Sequence, residues 1–278
     1  MAVGRRHWII VINMVGINMA SPNKSLGQHW LRDREVLSHV ADCAELTRDD
    51  TVLEIGPGLG TLTSELLRRS GKVVAVEFDA ELARKLPAQF PGTNLEVIND
   101  DILKFNLSIL PTGYKVVANI PYYITSKIVQ ILMTATNRPS TVVLLVQKEV
   151  AERLAAKPGD MSILAISAQI FADVTLGNVV PAALFTPPPK VDSQVVILKM
   201  RTTSFFADNN IKEEDFFHVV KAGFSAKRKM LRSSLSGGLK ISKTEVEDIL
   251  DKANISSNVR AETLDLDAWV RLTRIVRP

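Results

Sequence analysis

Glu54-Ile55-Gly56-Pro57-Gly58-Leu59-Gly60 follows the apolar, β-branched run Thr51 to Ile55 and opens a helical stretch. Glycines at such a junction let the backbone turn sharply and approach a ligand with no Cβ in the way. The spacing is G-x-G-x-G and not the dinucleotide G-x-G-x-x-G, so alone it also fits a tight strand-to-helix turn that holds nothing. Outward from this loop, short apolar runs at Lys72 to Glu77, Asn94 to Ile98, Lys115 to Ala118 and Thr141 to Val146 alternate with helical stretches, and Gly, Pro, Asn or Asp bounds each run. That alternation predicts a parallel sheet with helices on both faces. Val174 to Val180 and Gln194 to Met200 flank a Pro-rich loop and predict a hairpin closing the sheet edge. Between the fifth strand and that hairpin, Val146, Val150 and Leu154 predict an amphipathic helix.

Glu77 ends the second strand, 21 positions after Gly56, where a carboxylate can accept from ribose hydroxyls. Asp101 ends the third strand in the same way. Three successive strand ends thus present glycines, Glu77 and Asp101 to one crevice, which points to a nucleoside-containing cofactor. The fourth strand runs into Asn119-Ile120-Pro121-Tyr122. A hydride-transfer enzyme has no need of this tetrapeptide, whereas an enzyme methylating an exocyclic amine does. The amine lone pair is delocalised into the base, and two acceptors, the Asn119 side-chain oxygen and the Ile120 carbonyl, could hold the amine hydrogens in a pyramidal transition state. Pro121 stiffens that carbonyl, and Tyr122 offers a face for an extruded base.

The chain has 278 residues, 46% of them apolar, which suffices for a core without staples and excludes disordered, collagenous and disulfide-rich classes. Its one cysteine, Cys43, cannot form an internal disulfide, and its four histidines show no ligand spacing. No metal is therefore expected, and a reducing, cytoplasmic setting is. After residue 200 the strand signal stops. Phe216, Phe217, Val220 and Phe224, then Trp269, Leu272 and Val276, predict helices, with a capping box at Ser242-Lys243-Thr244-Glu245. This C-terminal part, 201–278, holds 14 Lys+Arg against 11 Asp+Glu, +3 of the total +4. Lys227-Arg228-Lys229-Met230-Leu231-Arg232 would set Arg228 and Arg232 one helical turn apart, either as a solvated face or as a stripe that neutralises RNA phosphates. Residues 1–24 read as a poorly ordered extension or a mis-assigned start, with Met14 and Met19 as alternatives. The apolar run Trp8 to Ala20 is too short to span a bilayer, and no membrane role is expected.

Together with Leu26-Gly27-Gln28-His29-Trp30-Leu31, Tyr123-Ile124, Gln147-Lys148-Glu149-Val150 and Phe185-Thr186-Pro187-Pro188-Pro189-Lys190-Val191-Asp192-Ser193, these motifs resemble those of the KsgA-type small-subunit rRNA adenine dimethyltransferases. The resemblance runs from about Ser25 to the C-terminus. It implies a class I methyltransferase fold, α/β and Rossmann-like with a seven-stranded, mostly parallel sheet, spanning residues 25–200, followed by a small helical RNA-binding domain over 201–278. It implies S-adenosylmethionine as methyl donor, held by His29, Leu31, Gly56, Glu77, Asp101 and Asn119. Asn119, Ile120, Pro121 and Tyr122 would form the catalytic motif, and Lys227, Arg228, Lys229 and Arg232 would contact RNA. The implied substrate is a pair of adjacent adenosines near the 3′ end of small-subunit rRNA, in a pre-ribosomal particle, with the enzyme acting as a monomer. His29 departs from the family's usual asparagine and Trp30 from its phenylalanine. Phe185 would stack on the target base with Tyr122, or else anchor the proline loop from within the core. An Erm-type large-subunit methyltransferase shares the chemistry, and a non-catalytic RNA-binding assembly factor would share the fold.

Overall fold

The computed structural model describes residues 28–226 and 228–277; the extension 1–24, the motif residues Leu26 and Gly27, and Lys227 lie outside them. The described residues begin with β1 (Trp30–Leu31) and α1 (Arg34–Asp42), followed by β2 (Thr51–Ile55), α2 (Thr61–Arg69), β3 (Lys72–Glu77), α3 (Ala80–Lys85) and β4 (Leu95–Asn99). Next come β5 (Lys115–Asn119), α4 (Thr125–Thr134), β6 (Thr141–Gln147), α5 (Lys148–Leu154), α6 (Ile163–Gln169), β7 (Ala172–Val180), β8 (Phe185–Thr186) and β9 (Ser193–Met200). After Met200 the regular structure among the described residues is helical: α7 (Phe205–Asp208), α8 (Glu213–Gly223), α9 (Leu231–Leu239), α10 (Lys243–Lys252) and α11 (Leu266–Val276).

Seven strands form one sheet in the order β4-β3-β2-β5-β6-β9-β7. The pairs among β4, β3, β2, β5 and β6 are parallel, while β9 runs antiparallel to both β6 and β7. The expected mostly parallel sheet is therefore present, and each expected strand lies within two residues of its observed bounds. The closing hairpin has a detail that the sequence did not show: β9 inserts between β6 and β7, so the earlier strand takes the edge. Val146 belongs to β6 and not to the following helix, which starts at Lys148 and buries Ala151 and Leu154. A separate two-stranded pair, β1 with β8, was not anticipated, because two residues carry no periodicity.

Strand alternation sends successive side chains to opposite faces. Val52, Val73, Val117, Val143 and Leu145 accordingly pack against α1 and α2 residues such as Leu37, Val40, Leu62 and Leu66. Leu53, Ile55, Val74, Val116, Ala118, Val142 and Leu144 face the other way, into a larger core. That core continues without a break into the C-terminal helices through Phe171, Phe206 and Phe216, whose rings meet edge to face at 6.0 and 5.8 Å. Ser242 and Glu245 form the predicted capping box at the start of α10. No helix among the described residues is long and apolar enough to cross a membrane.

Trp269 of α11 is fully buried, stacks on Phe224 at 5.7 Å and covers Gly223, which has no room for a Cβ. Trp269→Ala should destabilise the protein by about 3–5 kcal/mol, because the neighbours can only partly fill the void. Equilibrium unfolding in urea measures this loss.

Candidate active site

In an open parallel sheet a crevice forms outside the carboxyl ends of the strands, where the strand order reverses. Here the reversal lies between β2 and β5. A cavity of about 230 Å³ opens at that point, walled by the glycine loop after β2, Glu77 of β3, Asp100 and Asp101 after β4, and Asn119 to Ile124 at and beyond the end of β5. Gln28 to Leu31 close its remaining side.

Glu77 is 5% exposed. Its Oε2 accepts the Gly58 N–H at 3.0 Å and its Oε1 the Asp79 N–H at 2.8 Å. Burial raises its pKa above the ordinary carboxylate value, and the hydrogen bonds from Asp79 and Gly58 oppose that rise. The loop itself requires glycine: Gly56 has φ +65°, and Gly60 has φ +78° with Leu86 and Phe90 where a Cβ would sit. Glu54, 1% exposed, lines the same cavity from β2 and accepts the Thr63 hydroxyl at 2.6 Å. Burial, with a smaller contribution from the nearby Glu77 charge, pushes its pKa up to about 8.

Asn119 ends β5, and its Nδ2 donates to the His29 carbonyl at 3.4 Å. This bond leaves Oδ1 available at the cavity wall. Ile120 is 2% exposed, so its side chain anchors the carbonyl that Pro121, at φ −60°, holds in place. The Tyr122 hydroxyl bonds Ser193 Oγ at 2.7 Å, and its ring stacks on that of His29 at 5.7 Å and 19°. His29 Nδ1 lies 2.7 Å from the Pro187 carbonyl, and Leu31 O accepts the Thr61 hydroxyl. The segment 29–31 is thus strapped across the cleft from the glycine loop to the proline loop.

Of the sequence-predicted site residues, His29, Leu31, Gly56, Glu77, Asp101, Asn119, Ile120, Pro121 and Tyr122 all line this one cavity. Phe185 does not. It is 2% exposed within the core cluster of Leu31, Val180 and Val195, so of its two readings the structure supports the anchor under the loop and not a face open to a base. The basic stripe also needs correction. Met230 has extended backbone as N-cap of α9, so Arg228 and Lys229 sit exposed in the turn before the helix, and only Arg232 is helical. Arg232 pairs with Glu247, and Arg228 and Arg232 do not share one helical face. Sequence reasoning gave no site role to Glu54, Phe78 and Leu103, which also line the cavity; of these only Glu54 carried a signal, an acid two residues before the first glycine.

The chain matches the ribosomal RNA adenine dimethylase family over residues 19–275. It belongs to that family. It is 42% identical over 253 residues to a ribosomal RNA small subunit methyltransferase A from Dehalococcoides mccartyi, covering 90% of this chain and 86% of that one. A protein of the same name from Desulfitobacterium hafniense is 42% identical over 92% of this chain and 93% of its own. Among solved structures, a dimethyladenosine transferase from Plasmodium falciparum is 29% identical with a TM-score of 0.74, covering 88% of this chain and 96% of that one. The 23S rRNA methyltransferase ErmE is 30% identical with a TM-score of 0.73, covering 90% and 100%.

The dimethylase draws its methyl groups from S-adenosylmethionine, and the cleft fits a cationic nucleoside. Its lining holds Glu54, Glu77, Asp100 and Asp101 and no Lys or Arg among the described residues. Glu77, held rigid by two backbone donors, suits the ribose hydroxyls, and Asp101 with the apolar Ile102 and Leu103 suits the adenine. The bound donor supplies an electrophilic methyl group. The residues lining the cleft would bind and orient it.

Glu54 makes stability depend on pH. Its folded pKa, about 8, lies above the unfolded value of 4.5, so between those values the folded state keeps a proton that the unfolded chain has lost. Burial of Glu54 therefore lowers stability as pH rises through that window. Glu54→Gln, neutral throughout, should raise the urea midpoint above wild type at pH 8, with the difference shrinking towards pH 5.

Proposed function

We propose that the enzyme transfers two methyl groups to N6 of each of two adjacent adenosines near the 3′ end of small-subunit rRNA, in a pre-ribosomal particle in the cytoplasm, acting as a monomer. The observation that carries the choice of subunit is the similarity, at 42% identity over about nine-tenths of the chain, to proteins named small subunit methyltransferase A. In this reading residues 25–200 bind the cofactor and perform catalysis, and residues 201–278 contribute RNA contacts, with Arg228 and Lys229 exposed to meet phosphates and Lys227 beside them in sequence.

The chemistry proposed is direct in-line attack by the adenine amine on the methyl group, with no covalent enzyme intermediate. Asn119 Oδ1 and the Ile120 carbonyl accept the amine hydrogens and localise the lone pair on nitrogen. Tyr122, tethered to Ser193, provides the stacking face, and the half-buried ring excludes water on that side. The amine becomes acidic only after attack, so positioning supplies the rate and a strong base is not required.

Mapping dimethyladenosine in rRNA from cells with and without the protein tests the target: loss confined to the small subunit supports the proposal, and loss from large-subunit rRNA identifies an Erm-type enzyme instead. Asn119→Ala should slow single-turnover methyl transfer on the order of 10²–10³-fold, with a smaller effect on cofactor affinity. Unchanged transfer would remove Asn119 from the mechanism.

A further inference from the structure

Tyr123 stands apart from the chain's other two tyrosines. Tyr114 is buried with its hydroxyl on the Asn137 carbonyl, and Tyr122 is tethered to Ser193. Tyr123 is 66% exposed, and its hydroxyl has no hydrogen-bond partner among the described residues. Among those residues only two Phe, Tyr or Trp rings are more than half exposed, Phe78 at 62% and Tyr123, and both line the cavity. Phe78 follows Glu77, at the end that suits the cofactor's ribose and adenine. Tyr123 directly follows Asn119 to Tyr122, the motif proposed to hold the target adenine.

The turn Tyr122–Ile124 runs straight into α4. Thr125, Ile128 and Val129 are buried, whereas Tyr123, Ser126, Lys127 and Gln130 are exposed, which is the i, i+3, i+4, i+7 spacing of one helical face. The rim of the cleft and that face are therefore continuous. Lys127, one turn on from Tyr123, pairs with no carboxylate among the described residues, and α4 itself contains no Asp or Glu. An open aromatic ring followed one turn later by a free cation complements a nucleotide: the base stacks on the ring, and its phosphate meets the ammonium group. Extruding a base also strips its neighbour of a stacking partner, and a ring at the rim replaces that partner.

We propose that Tyr123 and Lys127 form a subsite for the nucleotide flanking the target adenosine, with the flanking base on the Tyr123 ring and its phosphate on Lys127. The proposal rests on the reading that the substrate holds two adjacent adenosines. RNA polarity fixes which neighbour reaches Tyr123, so in one of the two rounds that neighbour is the other target adenosine. Stacking accepts any base, so the subsite serves the remaining round as well.

Unmodified small subunits and tritiated S-adenosylmethionine give kcat/KM for the RNA, while calorimetry with S-adenosylhomocysteine reports cofactor affinity and the folding of each variant. Tyr123→Ala should lower kcat/KM roughly 5- to 100-fold, the loss of one base–aromatic stack, with cofactor affinity unchanged. Tyr123→Leu, bulky but without a π-face, should fall with it, and Tyr123→Phe should stay close to wild type. Lys127→Gln should lower kcat/KM and make its log–log dependence on salt shallower by about 0.7, the share of one phosphate on a single strand. A purely structural lysine would leave that slope alone. Wild-type turnover by Tyr123→Ala or Tyr123→Leu would overturn the stack, and an unaltered salt slope in Lys127→Gln would overturn the phosphate contact. Lost cofactor affinity in Tyr123→Ala would place the ring in the cofactor site instead. A wild type that leaves small-subunit adenosines unmethylated defeats the substrate reading and this subsite with it, whereas an active wild type with indifferent variants removes the subsite alone.

Discussion

The pair of hydrogen bonds that holds the Glu77 carboxylate organises the cleft. A carboxylate 5% exposed is tolerable only when its oxygens are met, and the donors that meet them are two backbone N–H groups. One belongs to Gly58, in a loop whose positive φ angles at 56, 58 and 60 aim the backbone inward. The other belongs to Asp79, whose own carboxylate caps α3 by accepting from Glu81 and Leu82. The end of β3, the glycine loop and the start of α3 thereby share one charged group, and Gly60, in the left-handed region, carries the same loop into α2.

A second set of contacts joins parts of the chain that are far apart in sequence. β1 pairs with β8, so Trp30 and Leu31 lie beside Thr186 and Phe185. His29 reaches Pro187 and Tyr122, Asn119 reaches the His29 carbonyl, and Tyr122 reaches Ser193. Each of the three elements that would grip a base or the cofactor's methionine end therefore holds another in place. This interlock explains why Phe185 is buried: a strand partner of Leu31 that also packs on Val180 and Val195 fixes the strap from beneath.

Much of this was legible in the sequence. The seven long strands announced themselves by apolar runs between breakers, and α10 by its capping box, because these signals are local. Seven of the nine candidate cleft residues converge on one cavity because they lie at or just beyond the ends of parallel strands, which the sheet collects along one edge; His29 and Leu31 reach it from the separate β1–β8 pair. The errors came where local pattern competes with packing. Arg228 and Arg232 have helical spacing, yet Met230 between them takes extended backbone as an N-cap, which breaks the face. Phe185 had two equally sound readings until its burial was known.

The order of motifs along the chain therefore determined the α/β sheet, the glycine-lined crevice and the residues that border it, since periodicity and strand ends are properties of neighbours in sequence. Only the tertiary structure decided that β9 slips between β6 and β7, that the 29–31 strap is tied to the proline loop, and that Glu54 keeps one oxygen unmatched in a wall without cations. Those facts depend on side chains brought together from up to 158 residues apart, as His29 and Pro187 are, and burial of a charge is decided by all its neighbours at once.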